Sequence, residues 1–225
     1  LAQLTARLRR QLFRPGERYA ELVAAFTPEE LQALLQPDWH PAAAKAWTLN
    51  PVRLGFEAAA GADPVNRRLR ADLVSSLPGE MLTKVDRMTM GAGLEARVPF
   101  LDRAFVEWAF RLPGRLKIRG GTGKLVLRRA LADSLPQAAR RPKHGFNVPL
   151  GPWLRGPLLP LLQERLSPQA VESRGIFRPQ AVAHLLRAHR AGYADYSRKL
   201  FTLLVLELWL AEGPAGRPQL DPALR

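Results

Sequence analysis

Apolar residues recur at helical spacing along most of this chain of 225 residues. Such stretches run from Leu4 to Phe13, from Val65 to Val74 and from Lys199 to Leu210. Few segments show the alternation of apolar and polar residues that is typical of strands, so the chain as it stands is predicted to be mainly α. Thr27-Pro28-Glu29-Glu30 predicts the capped start of a further helix, from Glu29 to Leu35.

Proline and glycine separate these helical stretches. The segment from Pro37 to Asp63 predicts a short helix or an irregular connection. Leu77-Pro78 predicts a break, after which a helix should run from Gly79 to about Met90. The segment from Arg140 to Leu158 is rich in proline and glycine, and it predicts a long ordered loop.

Composition places the chain among globular proteins and excludes several kinds of chemistry. Apolar residues make up 47% of the sequence and charged residues 24%, which argues against wholesale disorder. The chain has no cysteine, so disulfides, thiolate zinc sites and cysteine nucleophiles are excluded within it. No apolar run reaches the roughly eighteen residues that span a bilayer, and no leader opens the sequence, so we expect a cytoplasmic protein without a membrane partner.

The net charge of +14 leaves two interpretations of the partners open. Such an excess can attract nucleic acid or phosphate groups. However, the arginines are mixed with apolar helix formers and are not gathered into one patch with aromatic residues, which favours a solvated surface over nucleic acid binding. A second interpretation is that the basic face meets an acidic neighbouring segment.

One long motif carries a family resemblance. The segment from Met81 to Met90 contains Lys-x-Asp-Arg, and Leu94 to Asp102 follows it with Glu-Ala-Arg-Val-Pro-Phe-Leu-Asp. Together they resemble the signature of glutamine-hydrolysing asparagine synthetases. Gly120 to Arg128, Arg141 to Leu150 and Tyr196 to Trp209 are similar to later pieces of that family, in the same order.

Lys124 is the candidate catalytic residue. It follows a glycine-rich turn from Arg119 to Gly123 and opens a predicted helix that runs to Asp133, so its ammonium group and nearby backbone N–H groups could face an anion. Position alone favours a solvated lysine at a helix end. The resemblance implies that Lys124 lies by the reaction centre and stabilises the charge formed when ammonia attacks an acyl-adenylate.

Other residues are candidates for a substrate or pyrophosphate pocket: Lys84, Asp86, Arg87, Arg97, Gly123 and Lys143. Lys84 and Arg87 can share one helix face. The alternative is an ion-pair cluster that fixes their helix against Glu95 and Arg97. Pro99-Phe100-Leu101 is expected to turn the chain and Asp102 to cap a helix from Arg103 to Leu112, both structural roles.

A lysine between proline and glycine, such as Lys143, suits a loop that closes over a substrate, although it equally suits a surface position. The histidines His40, His144, His184 and His189 show no metal-ligand spacing, so no metal is assigned to protein ligands.

The resemblance implies a fold, cofactors and partners beyond this sequence. The chain would be the helical carboxy-terminal portion of an α/β adenine-nucleotide alpha-hydrolase-like synthetase domain, of the PP-loop ATP pyrophosphatase type. The complete enzyme uses ATP and Mg²⁺ to form a β-aspartyl-adenylate, which ammonia from glutamine then attacks. A homodimer also remains open.

Two family loops, Ser-Gly-Gly-x-Asp-Ser and Ser-Gly-Glu-Gly, do not occur in the sequence. The family's order would place them before Leu1, together with the glutaminase cysteine. We therefore expect one helical domain over residues 1–212, incomplete at its amino terminus, with a flexible tail over residues 213–225. Such a fragment is expected to be inactive alone, to bind neither ATP nor Mg²⁺ tightly, and to have the upstream synthetase and glutaminase segments as partners.

Three alternatives remain at this stage. A relative that forms a β-lactam would share the adenylate chemistry and close a ring in place of ammonia capture. A basic helical module that binds nucleic acid would lose affinity steeply with salt. A noncatalytic assembly module would keep the helices and lack the chemistry.

Overall fold

The computed structural model of the protein describes residues 14–142, 145 and 148–212. The chain divides into two compact units. Over the described residues the first unit comprises 14–22, 50–142 and 145, and the second comprises 23–49 and 148–212. The mainly α prediction is confirmed. The single domain over residues 1–212 stays a prediction, and both the predicted helix from Leu4 to Phe13 and the predicted tail lie outside the described residues.

Fourteen α-helices are described. In chain order they are α1 (Pro15–Val23), α2 (Pro28–Leu34), α3 (His40–Thr48), α4 (Pro51–Glu57), α5 (Pro64–Val74), α6 (Thr83–Met90), α7 (Arg103–Arg111), α8 (Leu125–Ala130), α9 (Pro136–Arg140), α10 (Leu150–Arg155), α11 (Leu159–Arg165), α12 (Pro168–Arg174), α13 (Pro179–Arg190) and α14 (Ser197–Glu212).

The remaining regular structure is short. Three 3₁₀ turns cover Pro37–Trp39, Pro99–Leu101 and Gly114–Leu116, and a wide π-helical turn, Leu77–Leu82, leads into α6. The strands β1 (Ile118–Arg119) and β2 (Thr122–Gly123) form an antiparallel hairpin, the only sheet among the described residues.

Side-chain caps explain where several helices begin. Thr27 accepts a hydrogen bond from the Glu30 N–H at 3.3 Å, and the Glu30 carboxylate accepts one from the Thr27 N–H at 3.1 Å, which is the capping box that the sequence predicts. Asp102 accepts from the Phe105 N–H at 3.0 Å, as predicted. Asn50 and Asp63 cap α4 and α5 in the same way, each followed by proline in the first turn.

Close packing of α4 on α5 supports the first unit. Gly55 is the contact point, because a Cβ atom there would lie 2.5 Å from Val74 Cγ2 and 3.1 Å from Ala71 Cα. Phe56 is buried nearby and lies against the Tyr19 ring at 5.8 Å between centroids. Tyr19 donates to Asp72 at 2.8 Å, which fixes α1 on this helix pair.

A buried amide ties the start of α5 to the turn after α7. Asn66 donates from Nδ2 to Asp63 Oδ2 at 2.7 Å and to the Leu112 carbonyl at 3.0 Å. Its Oδ1 accepts a hydrogen bond from Lys117 Nζ. The Gly114 N–H donates to Asp63 Oδ2 at 3.1 Å, so every member of this cluster has a partner.

Helix α14 is the centre of the second unit. Leu200, Leu203 and Leu204 are buried along one side of it, against leucines and valines of α10 to α13. Phe201, Val205 and Trp209 lie on another side and are exposed. The predicted final helix is therefore confirmed in position. A helix with so few polar positions from Lys199 to Leu210 is expected to be buried by its neighbours on nearly all sides, and that expectation is wrong over the described residues.

One ion pair is buried in this second unit. Arg174 of α12 donates to Glu207 of α14 at 3.1 Å, and the Glu207 side chain is only 3% exposed. At the start of α14, the buried His189 accepts a hydrogen bond at Nδ1 from the Tyr196 N–H at 3.3 Å. These contacts hold the ends of α12 and α13 to the start and middle of α14.

Several predicted connections are helical in the structure. The segment from Pro37 to Asp63 holds a 3₁₀ turn, α3 and α4, so the short-helix alternative predicted there is the one that the structure has. Pro37 stands in the first turn of the 3₁₀ turn and Pro51 in that of α4, where a missing N–H is tolerated. The long loop predicted from Arg140 to Leu158 contains α10. The break predicted at Leu77-Pro78 is instead the π-helical turn, and α8 ends at Ala130, short of the predicted Asp133.

No helix among the described residues is both long and apolar enough to cross a membrane.

Asp63 should make the stability of the chain depend on acidic pH. Partial burial raises the pKa of this carboxyl, but hydrogen bonds from the N–H groups of Asn66, Gly114 and Val65 and from the Asn66 side chain outweigh it and lower the pKa below 3.8. A lowered folded pKa stabilises the fold above the unfolded value, and that stabilisation is lost as pH falls through the folded value.

The check is urea unfolding of the wild type and Asp63→Asn between pH 2.5 and 6. The wild type should gain stability over the variant as pH rises toward and past about 3.8, and the two should converge at the acidic end. Curves that stay parallel throughout would contradict this role for Asp63.

The buried ion pair should matter far more than an exposed one. Arg174→Met leaves the Glu207 carboxylate buried without this partner and should lower the free energy of unfolding by about 3–5 kcal/mol. The matched control is Arg103→Met, which breaks a pair with Glu107 whose side chains are 92% and 51% exposed, and it should lower stability by less than about 1 kcal/mol. Equal losses in chemical denaturation would refute the distinction.

Candidate functional site

The motif residues on α6 face solvent. Lys84, Asp86 and Arg87 are all exposed, although Asp86 also lines a shallow cavity of about 400 Å³. The cavity wall is otherwise formed by residues of the π-helical turn, α6 and the following segment, namely Pro78, Leu82, Thr83, Val85, Ala96 and Val98. Among the predicted pocket residues that the structure describes, only Asp86 therefore lines this cavity.

Glu95 and Arg97 pair with each other. Arg97 Nη2 lies 3.1 Å from Glu95 Oε1, and the two side chains are 84% and 71% exposed. No hydrogen bond or ion pair between α6 and these two residues is found in the described part of the chain. The alternative of an ion-pair cluster that fixes α6 against them is not supported, and their pair with each other is exposed.

The Pro-Phe-Leu turn packs aromatic rings together. Phe100, in the 3₁₀ turn, meets the Phe105 ring edge-on at 5.5 Å, and Phe105 lies 5.6 Å from the Trp108 ring. These contacts and the Asp102 cap support the structural roles expected for this segment.

Lys124 sits at a strained point of the backbone. It is the only residue other than glycine with a positive φ among those described, with φ 59° and ψ 34°. The glycine-rich turn before it forms the hairpin β1–β2, so Lys124 leaves a strand and enters α8 in a left-handed conformation. Non-glycine residues held in this region often mark functional positions.

The helix that Lys124 opens is a weak source of anion binding. Helix α8 has six residues, and the Lys124 side chain makes no capping hydrogen bond. The predicted helix start is thus present. However, so short a helix has only a small dipole, so its backbone N–H groups would attract an anion weakly.

Lys124 and Gly123 lie instead at the edge of an apolar groove of about 580 Å³. We call this the α5–α8 groove. Its walls are α5, the 3₁₀ turn at Pro99–Leu101, α7, the hairpin and α8, with Leu69, Leu73, Phe100, Phe105, Trp108, Ile118 and Leu127 among its lining residues.

The described residues do not gather the predicted site into one pocket. Lys124 and Gly123 line the α5–α8 groove, whereas Asp86 lines the separate cavity, and no residue lines both. Leu77 lines the α5–α8 groove, and the next residue, Pro78, lines the other cavity. Lys143 lies outside the described residues, so its predicted role remains a prediction.

Two residues that sequence reasoning did not single out stabilise the groove. Arg128 donates to the carbonyls of Gly123, Ala139 and Arg141 at 3.0, 2.6 and 3.0 Å, so one guanidinium fixes the turn before Lys124 to α9 and the residue after it. The only signal for Arg128 in the sequence was the family resemblance at Leu127-Arg128. Without that resemblance, an arginine at the end of a short helix usually suggests a solvated surface.

Lys117 is the second of these residues. Its Nζ lies 5.0 Å from the Phe110 ring centroid and donates to Asn66. Burial lowers the pKa of Lys117, and the nearby charge of Asp63 partly opposes that change. The Lys117 ammonium group is therefore part of the buried hydrogen-bond network at one end of the groove.

No group of three or more His, Asp and Glu side chains among the described residues is placed to hold a metal ion.

Comparison with known proteins gives a consistent result. The family Asparagine synthase matches residues 2–211. A Mycobacterium tuberculosis (strain ATCC 25618 / H37Rv) protein provisionally named asparagine synthetase [glutamine-hydrolyzing] is 40% identical over 200 residues, covering 87% of this chain and 29% of that protein. Asparagine synthetase [glutamine-hydrolyzing] 1 of Bacillus subtilis (strain 168) is 33% identical over 155 residues, covering 68% of this chain and 24% of that protein.

The Gallus gallus asparagine synthetase [glutamine-hydrolyzing] is 43% identical over 68 residues, which cover 28% of this chain and 12% of that protein. The chain thus spans less than a third of the length of these relatives. No solved structure matches it.

The backbone at Lys124 predicts an unusual order of stability for two substitutions. Lys124→Gly and Lys124→Ala both remove the ammonium group, but only glycine adopts a φ of 59° without strain. The glycine variant should therefore be more stable than the alanine variant by about 1 kcal/mol in urea unfolding. The reverse order would show that the left-handed conformation carries no strain.

Proposed function

The chain belongs to the asparagine synthase family, and we propose that it forms the carboxy-terminal part of a glutamine-dependent asparagine synthetase that amidates aspartate with ATP. The observation that carries this proposal is the family match over residues 2–211. Identity of 40% over 87% of the chain to the mycobacterial relative supports it. Because the chain spans 29% of that relative, the whole reaction is assigned to an enzyme larger than this chain.

The proposed reaction has two steps. The side-chain carboxylate of aspartate attacks the α-phosphorus of ATP, which releases pyrophosphate and forms a β-aspartyl-adenylate. Ammonia derived from glutamine then attacks the acyl carbon, and AMP leaves as the amide forms. Both steps build negative charge on oxygen, which fixed cationic groups stabilise most effectively where water is excluded.

Lys124 is the residue we assign to that stabilisation. Its hairpin and the Arg128 contacts fix the backbone on its amino-terminal side, and its side chain is exposed. A fixed backbone limits the positions that the ammonium group can reach, which favours a preorganised charge over a mobile one. The apolar groove beside it would lower the local dielectric once covered.

The other assigned residues would contact the phosphates or position those that do. Lys84, Arg87 and Arg97 are exposed cations within the family motif, and Asp86 lies in the cavity beside them. We assign Gly123 to the close approach of backbone to ligand, because an added Cβ there would meet open space. Lys143 is assigned to the same pocket from its place in the motif.

ATP and Mg²⁺ belong to this proposal as substrate and accompanying ion of the complete enzyme. The described residues do not fit a magnesium site of their own, since no cluster of three acidic or histidine ligands exists among them. Asp86 alone offers a carboxylate in the cavity. No step is therefore derived through the metal, and this chain alone is proposed to bind neither ATP nor Mg²⁺ tightly.

The remaining synthetase and glutaminase segments are the proposed partners, with aspartate, ATP and ammonia as the small-molecule substrates. The proposed setting is the cytoplasm, where aspartate, ATP and glutamine are available together. A homodimer of the complete enzyme is compatible with this assignment.

The chain alone should not release pyrophosphate from ATP in an aspartate-dependent manner. The assay uses the purified chain with and without a second polypeptide that carries the mycobacterial relative's segments outside the matched region. Activity should appear only with the second polypeptide, and robust turnover by the chain alone would overturn the fragment assignment. The mycobacterial relative's own matched region serves as the positive control.

In the reconstituted enzyme, Lys124→Met should reduce turnover by about 10²-fold or more, because one preorganised donor to a developing charge is lost. Lys45→Met, an exposed lysine of the second unit, should leave turnover unchanged. Equal activity of both variants would remove Lys124 from the reaction centre.

A further inference from the structure

A small polar cavity lies within the second unit, where the end of α11 meets α12 and α14. Its volume is about 220 Å³, and its lining residues are Glu164, Arg165, Ala170, Ser173, Arg174 and Glu207. At about 30 Å³ per molecule, this volume corresponds to about seven water molecules. It is smaller than the roughly 300–1,000 Å³ of pockets for drug-sized ligands, so it suits a molecule of a few non-hydrogen atoms. We call it the Glu207 cavity.

Only one oxygen of the Glu207 carboxylate has a hydrogen-bond partner within the described part of the chain. The Glu207 side chain is 3% exposed, and its Oε2 accepts a hydrogen bond from Arg174 Nε at 3.1 Å. The other oxygen, Oε1, is buried and accepts no hydrogen bond from any described residue. An ionised acceptor that is buried without a donor carries a large desolvation cost. This oxygen is therefore suited to an N–H donor, and a cationic donor binds it most strongly.

Arg165 brings the complementary group to the same cavity. Its Nε–H is also buried, and it donates no hydrogen bond to any of the described residues. Its ion pair with Glu164 measures 3.5 Å from Nε to Oε1, which is too long for a strong hydrogen bond. Guanidinium groups bind carboxylates with high geometric specificity through their N–H groups. The wall of the Glu207 cavity thus contains one unused ionic acceptor and one unused ionic donor.

The charges around the cavity balance. Arg165 and Arg174 contribute two positive charges, and Glu164 and Glu207 contribute two negative charges. A simple anion or a simple cation would leave an excess charge and would satisfy only one of the two unused groups. A small zwitterion keeps the balance and satisfies both groups, because its ammonium group donates to Glu207 Oε1 and its carboxylate accepts from Arg165.

We propose that the Glu207 cavity binds a small free α-amino acid, with the ammonium group on Glu207 and the carboxylate on Arg165. This inference goes beyond the proposed function, because none of the lining residues is among those assigned to the reaction. Both unused atoms are buried in the present side-chain arrangement, so the ligand displaces part of Arg165, whose side chain is 38% exposed. The bound amino acid connects α11 to α14, which couples the stability of the second unit to the concentration of the ligand.

The first experiment is isothermal titration calorimetry of the full chain with glycine, which carries both charged groups and no side chain. Glycine should bind at a single site. Methylammonium and acetate each carry only one of the two charges, and each should bind at least about tenfold more weakly than glycine. Equal binding of acetate would make the cavity an anion site, and equal binding of methylammonium would make it a cation site. Either result overturns the proposal, and so does the absence of glycine binding, which would leave water as the occupant.

Two pairs of variants locate the glycine. Ala170→Leu fills the cavity and Arg165→Met removes the unused donor, and each should weaken glycine binding at least about tenfold. Gln169→Leu and Arg190→Met are the matched controls, because both residues are exposed and neither lines the cavity, and they should leave binding unchanged. Circular dichroism verifies that each variant is folded. Binding that Ala170→Leu leaves intact, or that a control variant removes, would place the glycine elsewhere and overturn the proposal.

Thermal unfolding gives a second readout of the same site. A ligand that binds only the folded chain raises the Tm as its concentration rises. Glycine also stabilises proteins generally as an osmolyte, but that effect acts equally on the wild type and on Ala170→Leu. The Tm should therefore rise further with glycine in the wild type than in Ala170→Leu, and equal shifts would overturn the proposal. None of these measurements requires pyrophosphate release, so a failure of the proposed function leaves them unaffected.

Discussion

The geometry of the first unit depends on one buried amide. The Asn66 side chain accepts a hydrogen bond from Lys117 and donates to Asp63 and the Leu112 carbonyl. These bonds hold α5, the end of α7 and the hairpin together. Those three elements are also walls of the α5–α8 groove. The network is fully satisfied, which is the condition under which a buried polar cluster specifies a single arrangement. The hairpin directly precedes Lys124, so the arrangement that fixes the hairpin also fixes the backbone position of Lys124.

Sequence reasoning succeeded where the signal is local. The Thr27 capping box, the Asp102 cap and the apolar spacing of α5, α7 and α14 depend on residues a few positions apart, and each was predicted. It failed at Pro78, because Leu77-Pro78 predicted a break and Pro78 in fact lies in the first turn of the π-helical segment. Helices α11 to α13 were not predicted at all. Partnerships such as Arg174 with Glu207, distant along the chain, leave no local pattern.

The site was predictable in residue type more than in arrangement. The motif identified the family, yet the spacing of Lys84, Asp86 and Lys124 in sequence says nothing of whether they share a cavity, and in the structure Asp86 and Lys124 line different ones. The left-handed backbone at Lys124 was also beyond sequence reasoning, since lysine rarely adopts it. Arg128 was hidden for the opposite reason, because its three acceptors are backbone carbonyls that carry no sequence identity.

The contact of Gly55 with α5 has an evolutionary consequence. An added methyl group at position 55 would overlap the Val74 side chain, yet the Ala71 backbone on the same side leaves somewhat more room. Drift at this helix pair should therefore be correlated: a larger residue at position 55 becomes tolerable chiefly where position 74 has already shrunk. Substitutions at the two positions are therefore expected to be non-additive, with alanine at position 55 costing less where position 74 is smaller than valine.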